Sequence, residues 1–188
     1  MAQAGPPPED WDIDWKYTDG PLENFGWAKQ IVGRAASEMK ADGLYISSSG
    51  GYVKYACPVI TCKKAAAEYE FRLITVPEAG GGFGSGFRPI LSDGNSGVQI
   101  FTNERGFVYS VSNSTPGFGG IVLAPSLLSD HTLRIEYAAG CNNKVFIDEQ
   151  LAYEGNEFST YYVSANSIFQ QSGGETILKA LRYKFIER

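Results

Sequence analysis

Leu133-Arg134-Ile135-Glu136-Tyr137, the turn Gly140-Cys141-Asn142-Asn143, and Lys144-Val145-Phe146-Ile147-Asp148-Glu149-Gln150-Leu151-Ala152-Tyr153-Glu154 decide the fold class. The first block alternates apolar and charged residues, and the last is rich in β-branched and aromatic ones. Period 2 puts successive side chains on opposite faces of a strand, whereas a helix repeats every 3.6 residues. Gly and Asn at the tip suit the backbone of a tight turn. The stretch therefore predicts antiparallel strands joined by hairpins.

The same pattern runs outward through the chain. Short strands are predicted at 44–48, 52–57, 67–76, 86–92, 97–103, 106–112, 132–138, 143–148, 150–154, 166–170 and 176–186. Asp93-Gly94-Asn95-Ser96-Gly97 and Asn103-Glu104-Arg105-Gly106 punctuate them. So many short strands at this spacing predict an all-β sandwich or barrel, not a parallel α/β fold. Trp27, Ile31, Ala35 and Met39 fit a helix by spacing. Gly33 weakens that reading, and the β surroundings favour a strand. Trp11, Ile13, Trp15 and Tyr17 alternate with Asp12, Asp14 and Lys16, giving an extended segment behind a Pro-rich start. The expected organisation is an N-terminal arm, residues 1–20, and one sandwich domain, residues 21–188.

The chain has 188 residues, enough for one domain with a sizeable core. Its net charge of −5 argues against nucleic acid, since phosphate neutralisation needs a basic face. No apolar run reaches the length of a membrane span, so no membrane insertion is expected. The first residues lack the basic and apolar regions of a signal peptide. Gly80–Gly86 lacks the Lys of a phosphate-binding loop. The single His, His131, excludes multi-His metal sites. It follows Ser129-Asp130 directly, and three consecutive residues cannot converge as a triad, so a loop histidine before a strand is expected. Cys57 and Cys62 suit either a small-loop disulfide or two half-buried thiols, and Cys141 falls in a turn.

The opening hairpin resembles the late hairpin of concanavalin A-like jelly rolls, with Asp148-Glu149 where that superfamily has Asp-Gly. Phe87-Arg88-Pro89-Ile90-Leu91-Ser92-Asp93-Gly94 with Gly97-Val98-Gln99-Ile100-Phe101 resembles its central strands, and Ile177–Phe185 its closing strand. The resemblance covers about residues 25–188. It implies an antiparallel β-sandwich and a glycan-binding, glycan-cleaving or adhesive role; fold alone does not choose among these.

The enzymatic versions depend on particular residues. Glucanases of this superfamily use an E-x-D-x-x-E strand. The nearest text is Asp10-Trp11-Asp12-Ile13-Asp14-Trp15, with Glu68 and Glu70 as a second same-face pair. Alginate lyases of the superfamily carry Q-I-H or Q-V-H, but here Gln99-Ile100-Phe101 puts a phenyl ring where an imidazole would move a proton. Binding needs less: aromatic faces for the C–H patches of a sugar and planar polar groups for its hydroxyls. Alternation selects Arg72, Arg88, Gln99, Asn103 and Tyr109 as candidate ligand-binding residues on one sheet surface. Asp93 and Asn95, with Ser96, offer oxygen ligands for Ca²⁺ in a tight loop, though the same residues also make a plain turn.

The preferred expectation is a noncatalytic carbohydrate-binding, lectin-like jelly roll with no cofactor other than this Ca²⁺. The alternatives are a structural or adhesive module, oligomeric through its N-terminal arm, and a glycan-active hydrolase or lyase. An extracellular or virion-associated location goes with the first two.

Overall fold

A computed structural model describes residues 10–56, 64–78, 86–92, 96–104, 106–111, 117–121, 126–138, 143–155, 158–159 and 167–187. Fourteen strands are seen: β1 (Ile13–Lys16), β2 (Ala28–Lys40), β3 (Gly43–Ala56), β4 (Lys64–Thr75), β5 (Gly86–Ser92), β6 (Ser96–Asn103), β7 (Gly106–Val111), β8 (Gly117–Ile121), β9 (Asp130–Ala138), β10 (Asn143–Ile147), β11 (Gln150–Gly155), β12 (Phe158–Ser159), β13 (Ser167–Ser172) and β14 (Gly174–Glu187). The strands follow the order β11-β10-β9-β4-β14-β3-β13-β5-β6-β7-β8, with β1 on β14, β12 on β6 and β2 on β3.

One continuous path becomes two layers because β3 turns a corner. Its Leu44–Ser48 half pairs with β14, and its Val53–Ala56 half with β13. Between them Gly51 has φ +132°, and opposite it Gly33 of β2 has φ +68°. A Cβ at Gly51 would run into the Val32 carbonyl oxygen, and one at Gly33 into that of Gly50. Only glycine lets the two backbones approach and bend together here. The first sheet is β11-β10-β9-β4-β14, with β1 and the first half of β3. The second is the other half of β3 followed by β13-β5-β6-β7-β8.

Alternation fills the space between the layers. On β4, Tyr69, Phe71 and Leu73 are buried, while Glu68, Glu70 and Arg72 point away. Phe71 of the first sheet meets Phe87 of β5 at 5.0 Å and Phe107 of β7 at 6.3 Å, and Phe87 meets Phe169 of β13 at 5.7 Å. These tilted and edge-on rings tie the layers into one apolar core. The molecule is an antiparallel β-sandwich, as the hairpin pattern predicts.

Several sequence expectations are corrected. The segments 44–48 and 52–57 are one bent strand, β3, whose bend is read from the sequence as a break. The segment around Trp27–Met39 is, as its β surroundings favour, a strand, the 13-residue β2. β8 and β12 are unanticipated, being short and Gly- or Ser-containing. The arm does not stand apart over residues 10–20: Ile13–Lys16 pairs with Tyr183–Ala180 of β14. Trp15, within the segment expected as an arm, is fully buried, its indole N–H donating to the Gly20 carbonyl at 2.9 Å. Cys57, Cys62 and Cys141 lie outside the described residues, and so does the Asp93–Asn95 loop.

Candidate functional site

The two sheets present very different outward faces. On the first sheet, cations and carboxylates interlock across neighbouring strands. Arg182 of β14 bonds Glu68 at 2.7 Å and Glu70 at 2.6 Å on β4, and Asp14 of β1 at 3.1 Å. Asp130 of β9 accepts from Arg72 at 2.7 Å and from Lys179 at 2.6 Å. Those two donors hold the Asp130 carboxyl below its ordinary value, hydrogen bonding to Arg72 contributing most. This face is a compensated charge lattice. Arg72 belongs to it and does not join the other predicted ligand-binding residues.

The outward face of the second sheet is built differently. The register sets Gln30 of β2 beside Lys54 of β3, Lys54 beside Gln170 of β13, and Gln170 beside Arg88 of β5. Residues paired in this way share a face. Exposure falls along the row: Gln30 is exposed, Lys54 and Gln170 are half-buried, and Arg88 is 7% exposed. Arg88 Nη2 donates to Gln170 Oε1 at 2.5 Å, and the guanidinium lies over the Phe101 ring at 5.5 Å. Burial lowers the Arg88 pKa to about 10. Lys54 is also lowered, first by burial and then by the neighbouring positive charge of Arg88.

Gln99 stands opposite Ile90 in the next row of the same face, both buried. Asn103 follows Gln99 and Phe101 at the same alternation and is half-buried at the hairpin end. Three of the five predicted residues, Arg88, Gln99 and Asn103, are thus brought together. Tyr109 pairs with Ile100, a core residue, and so takes the alternate register position from this face. Sequence reading missed Lys54, Gln170 and the half-buried Tyr52, two positions from Lys54 on β3. Their alternation was legible. Their adjacency to Arg88 depends on β13 inserting between β3 and β5, which no local pattern encodes.

The glucanase-like and triad-like constellations are also locatable. Glu68 and Glu70 are ion-paired to Arg182, and Asp12 Oδ2 accepts the Phe185 amide at 2.6 Å. These carboxylates hold the sheet and the N-terminal strand together rather than facing each other across a cleft. His131 does gain triad-like neighbours from other elements. Its Nδ1 is 2.9 Å from Asp148 Oδ2, and its Nε2 is 2.9 Å from the Ser126 carbonyl oxygen and 3.4 Å from Ser126 Oγ. Nε2 lies closer to the Ser126 carbonyl than to the Ser126 hydroxyl, so the hydroxyl is not held in the short contact that activation by a general base requires. The trio pins the segment before β9 to the β10–β11 turn. Among the described residues no group of three metal-ligating side chains gathers, and no helix is long and apolar enough to cross a membrane.

The fold is a β-sandwich of the galectin-like kind. It is similar over 100% of both chains to a Bacillus subtilis protein with a galectin-like fold, at TM-score 0.62 and 10% identity. It is also similar to domain 4 of AbnA, a GH43 extracellular arabinanase from Geobacillus stearothermophilus solved with arabinotriose. That match has TM-score 0.60 and 12% identity and covers 97% of this chain and 93% of that one. The carbohydrate-binding module CBM66 of Bacillus subtilis matches at TM-score 0.55 and 12% identity, covering 85% and 95% of the two chains. No family model and no curated protein matches the sequence.

Proposed function

We propose that this protein is a noncatalytic carbohydrate-binding domain whose ligand lies on the outward face of the second sheet. The observation that carries the reading is the row Gln30–Lys54–Gln170–Arg88, planar or charged donors graded from solvent to interior. Gln and Arg offer the fixed, flat hydrogen-bonding geometry that sugar hydroxyls need, and Tyr52 adds a half-buried aromatic ring on the same side of β3. The likeness to carbohydrate-binding modules supports the reading at the level of fold. Within that fold we assign the chain to the concanavalin A-like superfamily, acting outside the cell or on a virion surface. Asp93 and Asn95 remain the proposed Ca²⁺ ligands, so chelation by EDTA should weaken binding.

A glycan array followed by calorimetry tests the proposal. Gln170→Ala and Tyr52→Ala should each weaken binding by roughly tenfold, the scale of one lost hydrogen bond or ring contact. Failure to bind any glycan on a broad array would overturn it.

The adhesive alternative has its own support. β2 pairs only with β3 among the described residues, and Ile31 and Val32 on it are 44% and 40% exposed. A long, partly apolar edge is a template for strand addition. Light scattering across a concentration series would show a dimer on this reading and a monomer otherwise.

A further inference from the structure

We propose that the sugar taken by this face is carboxylated, of the uronic or sialic type, and that Arg88 receives its carboxylate. The inference rests on the glycan reading above and narrows its ligand class.

The argument starts from how the chain distributes its charges. It is acidic overall, with a net charge of −5. On the first sheet, Arg72, Arg134, Lys179, Arg182 and Lys184 each have a carboxylate within 4.0 Å. Arg88 has none among the described residues, although it is far more buried than most of them. Its Nε is buried without a hydrogen-bond partner, and among the described residues its side chain bonds only the neutral Gln170. A buried guanidinium is normally matched by a carboxylate, because its fork of donors suits two carboxylate oxygens. Among the described residues, an aromatic face and an amide surround the guanidinium and no carboxylate does. Lys54, one strand beyond Gln170, adds a second positive charge on the same face, and it feels the charge of Arg88. Two like charges held together in a half-buried row favour an anion between them. The gradient from exposed Gln30 to buried Arg88 orients the ligand: hydroxyls toward β2, carboxylate toward β5.

The test compares oligosaccharides that differ only at C6: oligogalacturonate, its methyl ester, the neutral galactan and a 6-sulfated galactan. Each is titrated by calorimetry against the full chain and against Arg88→Gln, Arg88→Lys and Lys54→Gln, with melting curves confirming that each variant folds. The carboxylated ligand is expected to bind at least about tenfold more tightly than its ester or neutral partner, the scale of a charge-assisted hydrogen bond. That preference should disappear in Arg88→Gln, shrink in Lys54→Gln, partly survive in Arg88→Lys and weaken with added salt. If Arg88→Gln fails to fold, Lys54→Gln decides. Equal affinity for neutral and carboxylated sugars, stronger binding of the sulfated one, or a preference that persists in folded Arg88→Gln each overturns the inference and leaves the glycan reading standing. No binding to any sugar removes the glycan reading, and this inference with it.

Discussion

Arg88 and Glu149 show what single positions contribute. A guanidinium held at 7% exposure with its pKa lowered to about 10 works against folding. The sign is that of a base disfavoured when charged: the cost is present below the folded value and is relieved as pH rises toward the ordinary guanidinium value. Its scale is a few kcal/mol, at roughly 1.4 kcal/mol per unit. Arg88→Met should therefore leave the melting temperature at or above that of the parent while removing the preference for carboxylated glycans; a clearly lower Tm would show that the residue serves structure instead. At the β10–β11 turn, Asp148 and Glu149 have φ +49° and +66°, the left-handed pair of a tight hairpin. Asp148 is retained by its bonds to the Thr132 amide and His131, whereas Glu149 makes no comparable bond among the described residues. Glu149→Gly should raise Tm by about 2–4 °C, equivalent to about 1 kcal/mol in a chain of this size. Asp130 gives a pH signature of opposite sense. Its folded pKa is held below 3.8, so its contribution is complete above that value and is lost as pH falls through the lower folded value. Because the pair is exposed, Asp130→Asn should cost under about 1 kcal/mol at neutral pH and flatten the acid limb of a stability curve.

At the scale of elements, the corner in β3 decides which residues become neighbours. It lets a single strand pair with β14 at one end and β13 at the other, which carries Lys54 into the row with Gln170 and Arg88. Gly51→Ala would place a methyl group against the Val32 carbonyl at φ +132°. A loss of several kcal/mol is expected, about 2 or more, because neither backbone can withdraw without opening the corner. Chemical denaturation would register that loss. Hydrogen exchange should show it concentrated in β2, β3 and β13 rather than in the β9–β10–β11 hairpins.

For the whole molecule, the N-terminal strand closes the first sheet against the last strand of the chain. Ile13–Lys16 lies on β14, Arg182 reaches Asp14, and Lys184 reaches Asp10 at 2.8 Å. Trp15 sits at 0% exposure within the main core cluster. Trp15→Ala should cost about 3–5 kcal/mol, the range for emptying a buried aromatic site. A Tm that barely moves would mean that the segment is a detachable arm after all. The contacts joining β1 to β14 span most of the chain length, so this closure should be slow to form and sensitive to truncation.

Alternating residues and Gly- or Asn-marked turns were enough to define an antiparallel all-β protein, most of its strands, and which side chains share a strand face. They select Arg88, Gln99 and Asn103, because alternation is a local property that the pleat enforces whatever the partner strand. They also select Arg72 and Tyr109, since period 2 does not say which sheet a strand joins or whether a face looks inward. Those choices are tertiary. Pairing of β13 between β3 and β5 brought Gln170 and Lys54 to Arg88, pairing of β4 with β9 gave Arg72 to Asp130, and pairing of β1 with β14 buried Trp15. Each joins residues far apart in sequence, and non-local pairing is the one thing a local pattern cannot carry.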